Sequence, residues 1–172
     1  MLRENETMPK TSQATYAQFV KFFEKYKDDE ILYISGSSAA SGTYQSAVLA
    51  KGDVDANITI FDTLNLSLGS GALVIKACEM VEQGLSVDEI VNNLESLKKD
   101  AEVTFSVDTL EYLKKGGRIS STKAAIGSLL SIKPILTVND GLVVQKSQVR
   151  GKKQTFTNLV NCLIEKYGND LS

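Results

Sequence analysis

The sequence predicts an α/β fold in two lobes. An incomplete parallel α/β lobe covers residues 1–100, and part of a second α/β lobe covers residues 101–172. Short β-branched runs alternate with helical stretches as far as Ala101, the cadence of βαβ units on a largely parallel sheet. Beyond Ala101 the strands crowd together, and Asn139-Asp140-Gly141 parts two β runs as a hairpin turn would. Apolar residues make up 42% and charged residues 23% of the chain, an ordinary globular balance.

Each element has its own signal. In "TSQATYAQFVKFFEKYK", Tyr16, Phe19, Phe23 and Tyr26 recur at helical spacing behind small polar residues. "EILYIS" reads as a strand, Ser41 to Lys51 as a helix, and "NITIFD" as a second strand ending at Asp62. "LSLGSGALVIKACEMVEQG" is a long apolar helix closed by Gly84. The next helix opens with Ser86 and Glu89 at capping-box spacing, where each side chain can satisfy the other's backbone amide.

In the second lobe "EVTFSV" is a strand. "DTLEYLKKGG" is a short helix with Asp108 and Glu111 again at capping-box spacing. Gly116 or Gly117 supplies its left-handed end. A helix is expected near "STKAAIGSLLS", then the hairpin "KPILTV" and "LVVQKSQV", then an amphipathic helix over "KKQTFTNLVNCLIEKYG".

Composition narrows the chemistry. There is no histidine, so histidine-based triads and imidazole metal sites are excluded, and neither a metal nor a cofactor is expected. The formal charge of −2 and the lack of a basic tract argue against nucleic acid. Cys78 and Cys162 read as reduced core thiols of a cytoplasmic protein.

The hydroxyl-rich stretch "SGSSAASGTYQSA" follows the first strand and opens a helix. Unpaired amides and the helix dipole make such a helix start attractive to anions, and open α/β sheets bind ligands beyond their strand ends. Ser41, Gly42 and Thr43 are therefore candidate donors to a carboxylate or phosphate, although Ser41 also suits a plain N-cap. Thr11, Ser12 and Gln13 offer the same two readings ahead of the first helix. Asp62 and Thr63 stand at a strand end, with Ser67, Gly69 and Gly71 allowing close helix packing. The helix dipole accounts for Lys114 and Lys115. Arg118 lies past the turn and could clamp an oxyanion bidentately, or sit solvated on the surface.

In order and spacing, "TSQ", "SGTYQSA", "DTLEYLKKGGRIS", "GSLLSIKPIL" and "VRGKK" resemble the DegV family, from Pro9 to Tyr167. Those are bacterial fatty-acid-binding proteins of two α/β lobes with a lipid tunnel between them. The resemblance implies that Thr11 and Ser41 hold the carboxylate of a long-chain fatty acid, and that Arg118 serves the phosphorylated head group. It implies a carrier rather than an enzyme, a separate fatty acid kinase as partner, and transient membrane contact. Family members carry a further strand upstream and a histidine-bearing segment downstream, so this sequence is expected to be the middle of such a protein. In isolation it should then associate or be marginally stable. The alternatives are a nonfunctional remnant or a small phosphotransfer enzyme with Asp62 or Asp108 as base.

Overall fold

The computed structural model describes residues 10–119 and 132–168. The helix expected near "STKAAIGSLLS" falls outside the described residues.

The first sheet pairs β1 (Ile31–Ser35) with β2 (Ile58–Asp62) in parallel, with Ile31 opposite Ile58 and Ser35 opposite Asp62. Both strands are nearly continuous apolar runs, as burial on both faces requires. Ile31 and Ile58 face a core shared with α1 (Tyr16–Lys25) and α2 (Thr43–Asp53). Leu32, Ile34 and Phe61 face the opposite core, shared with α3 (Leu68–Glu82) and α4 (Val87–Leu97). The sheet is therefore the middle of three layers.

Local chemistry sets the helix ends. The α1 cap is Thr15 rather than the "TSQ" residues: Thr15 Oγ1 accepts from Gln18 N at 3.3 Å, and Gln18 Oε1 accepts from Thr15 N at 2.8 Å. Buried Phe19 and Phe23 anchor α1, with Phe19 edge-on to Tyr33 at 5.0 Å. The Ser86–Glu89 capping box forms as expected. α3 buries Gly69, Leu73 and Ala77 along one face, leaving Leu68, Ile75 and Val81 exposed. Gly69 packs against the Asn65 side chain, whereas Gly71 has open space beside it, contrary to the expected close approach.

The second sheet has the order β3–β4–β5, all antiparallel: β3 (Thr104–Ser106), β4 (Ile132–Asn139) and β5 (Leu142–Arg150). Asp140 and Gly141 both have positive φ, 47° and 77°, the geometry of a tight hairpin turn. Pro134 lies in the central strand, but β3 reaches only as far as Ile135, so its missing N–H breaks no β3 pairing.

α5 (Glu111–Lys115) ends at left-handed Gly117. Its expected capping box is absent. Thr109 Oγ1 accepts from Glu111 N at 3.2 Å, while Asp108 pairs with Lys133 at 2.7 Å. α6 (Gly151–Tyr167) lies along this sheet, tied down by Glu102, which reaches Lys146 at 3.0 Å and Lys166 at 3.2 Å. Leu110, Leu136 and Val143 form a third core, against which Leu66 of the first lobe also packs.

The cysteines need correcting. Both are unpaired on helices as expected, but Cys78 is exposed and Cys162 only half-buried. Cys78 sits off the buried face of α3, and α6 buries none of its residues fully, so neither is a core thiol.

Candidate functional site

Because β1 and β2 end level with each other, the loops after Ser35 and Asp62 lie side by side at the carboxyl edge of the sheet. Ser37 is fully buried and organises the first loop. Its N–H donates to Asn65 O at 2.9 Å, its carbonyl accepts from Ala40 N and Ser41 N at 3.2 Å, and its hydroxyl accepts from Ala39 N at 3.1 Å. Asp62 ties the two loops together, one carboxylate oxygen accepting from Ser38 N at 3.2 Å and Leu64 N at 2.9 Å. Asn65 continues the network, donating to Ala101 O and accepting from Leu66 N. Thr63 is buried and bonded to Ser70 at 3.0 Å.

This turn delivers Ser41, Gly42 and Thr43 to the start of α2, all three half-buried. The helix begins at Thr43 with Gly42 as its N-cap, two residues later than the sequence suggested. Ser41 still serves the helix start, its hydroxyl accepting from Thr43 N at 3.2 Å. Ser41 Oγ and Thr43 Oγ1 are 2.9 Å apart, and Thr43 Oγ1 also accepts from Ala14 N at 3.3 Å. A hydroxyl has one proton to give. When Thr43 gives its proton to Ser41, the Ser41 proton is left free to point outward. The resulting chain runs from Ala14 N–H through Thr43 O–H to Ser41 O–H, and its open end is a donor suited to an oxyanion.

The segment before α1 lies against this helix start. Gln13 Nε2 donates to Ser46 Oγ at 3.1 Å, and the Gln13 amide occupies the space a side chain at Gly42 would need. Thr11 and Ser12 are exposed and immediately precede Gln13.

From the second lobe, Arg118 is anchored by its carbonyl, which accepts from Val143 N at 3.3 Å. Its exposed side chain crosses to the serine loop, Nε donating to Ala40 O at 3.3 Å and Nη1 to Gly116 O. The structure thus gathers Ser41, Gly42, Thr43 and Arg118 around one helix start, to which Gln13 and Ala14, just after Thr11 and Ser12, are bonded. Of the two candidate bases, Asp62 braces the two loops and Asp108 is ion-paired to Lys133. The two carboxylates of the phosphotransfer alternative therefore have separate structural roles. Among the described residues no acidic or thiol cluster could hold a metal, and no helix is long and apolar enough to cross a membrane.

Sequence reasoning missed Ser37, Asn65 and Gly141. Ser37 and Asn65 are polar residues buried by bonds to distant loops, a property no local spacing encodes. Gly141 was legible as a turn, but not as a contact of the serine loop, where it packs against Ser37, Ala39 and Leu64.

A model of the DegV family matches residues 1–171. The chain belongs to the DegV family. A DegV domain-containing protein of Clostridium perfringens is 45% identical over 98% of this chain and 60% of its own length. A fatty acid-binding protein of Thermotoga maritima is 38% identical over 98% of this chain and 59% of its own. Among solved structures, a fatty-acid-binding DegV family protein from Thermus thermophilus superposes with a TM-score of 0.88 at 36% identity, covering 95% of this chain and 59% of that one. The chain thus spans about 60% of the length of the DegV relatives it matches. The two-lobed α/β architecture expected from the sequence is that of the DegV fold.

Proposed function

We propose that this chain binds a long-chain fatty acid. Its carboxylate would sit at the start of α2 on Ser41, Gly42 and Thr43, flanked by Thr11 and Ser12, with Arg118 beside the head group. The observation that carries this reading is the convergence of the two lobes on one helix start. Residues 1–100 supply the bonded Ser41 and Thr43 hydroxyls, which between them have one proton to spare for a ligand, and residues 101–172 supply a guanidinium bonded to Ala40, next to Ser41.

The α2 amides and dipole favour a negative charge there, and a charge-assisted hydrogen bond from Ser41 fixes its position. The acyl chain would run between the two lobes, since such a ligand needs an apolar path with a few polar groups at its mouth. The role is that of a carrier rather than an enzyme, in keeping with relatives named as fatty acid-binding proteins. The exposed Arg118 supports a finer reading, in which the head group stays open to a separate fatty acid kinase and Arg118 receives the phosphate formed there. Loading by transient membrane contact and residence in the cytoplasm complete the proposal.

Native mass spectrometry of the protein purified from cells tests it. A mass increment matching one fatty acid, displaceable by added stearate, is expected. Protein that carries no acyl adduct and takes up no stearate overturns the reading.

A further inference from the structure

We infer that Gln13 is a positioning residue for the carboxylate site, acting through the bare backbone of Gly42. The inference rests on the site proposed above. The Gln13 amide lies where a Cβ at Gly42 would be, while its Nε2 reaches Ser46 Oγ at 3.1 Å. It therefore spans the first turn of α2, from Gly42 to Ser46. One residue on, Ala14 N donates to Thr43 Oγ1 at 3.3 Å. That is the bond that fills an acceptor site on Thr43, the hydroxyl that can pass its own proton to Ser41.

The consequence is a chain of position. Gln13 seated on Gly42 holds the backbone of residue 14 against Thr43, and Thr43 then orients the Ser41 hydroxyl. The same seating fixes where Thr11 and Ser12 run past the helix start. Gly42 is required here for space: its φ of −70° is one any residue adopts. Since the overlapping atoms are the far end of a flexible side chain, an alanine at 42 would displace Gln13 and leave the fold standing.

The experiment is a double-mutant cycle with Gly42→Ala and Gln13→Ala, read by stearate affinity and by hydrogen exchange of the Ala14 amide in the ligand-free protein. Each single variant should lose about tenfold in affinity, speed Ala14 exchange, and melt within a few degrees of the parent. The double variant should be no worse than the weaker single. Additive losses, or singles with unchanged Ala14 exchange, overturn the inference. If the parent protein binds no stearate, the fatty-acid reading fails, and Ala14 exchange alone decides whether Gln13 holds this segment on α2. An Ala14 amide unaffected by both substitutions then overturns the inference as well.

Discussion

Ser41 has one hydroxyl and two duties. It accepts from Thr43 N at the helix start, and its own proton can be freed for a ligand by Thr43. Ser41→Ala should therefore cost about 1 kcal/mol of stability through the lost hydrogen bond to Thr43 N. Losing a bond to a charged carboxylate costs about 1.5–3 kcal/mol more in binding, or roughly 10- to 150-fold in stearate affinity. Thr43 separates the duties. Thr43→Val removes both the acceptor for Ala14 N and the proton given to Ser41, whereas Thr43→Ser keeps both. Calorimetric titration with stearate should find the serine variant near the parent and the valine variant weakened by about tenfold. Equal losses in the two would mean that Thr43 acts through its methyl group. The sequence made these residues legible as a class, since hydroxyls at a helix start attract anions on general grounds. It did not disclose that Ala14 meets Thr43, nor that Arg118 reaches Ala40, because those bonds depend on how distant segments meet.

Elements were legible where a local rule was enough. The Ser86–Glu89 box, the Asp140-Gly141 turn and Gly117 at the end of α5 each follow from neighbours in sequence. The same rule failed at Asp108, because an ion pair with Lys133 of β4 claimed the carboxylate that a cap would have used. It misplaced the cap of α1 because several hydroxyls compete there, and Thr15 has a glutamine three residues on. α6 shows how an element can be held mainly from outside. None of its residues is fully buried, and Glu102 joins it to β5 by pairing with Lys166 and Lys146. The bond from Lys146, with help from Lys166 and against partial burial, holds the Glu102 carboxyl below its ordinary value of 4.5. A lowered folded value means that this stabilisation is fully present above pH 4.5, and is lost as pH falls from there through the folded value. Glu102→Gln should therefore lower the melting temperature at pH 7 and flatten its decline in that acid window. A parent and variant with parallel acid limbs in a pH-resolved melting series would remove Glu102 from the account.

At the scale of the whole molecule, the two sheets meet where the hairpin tip presses on the serine loop. A Cβ at Gly141 would overlap the hydroxyl of fully buried Ser37 and come within 3.0 Å of Ala39 Cβ and 3.3 Å of Leu64 Cδ2. Ser37 is short and bonded on all sides, so it has nowhere to go. Gly141→Ala must instead lift the hairpin, and with it β5, on which Arg118 is anchored through Val143. The substitution also carries a backbone cost, since Gly141 has φ of 77°. Gly151 provides the matching control: its φ is 81°, but nothing lies within 4 Å of a Cβ there. Gly151→Ala should thus lose only the backbone term, about 1 kcal/mol, and keep stearate affinity. Gly141→Ala should lose more, about 2–4 kcal/mol, and weaken stearate binding as well, because the guanidinium leaves the loop that carries Ser41. Denaturant unfolding and stearate titration of the two variants side by side decide the point. If they lose the same stability and both keep their affinity, then the hairpin tip does not position the loop, and each lobe acts on the ligand independently.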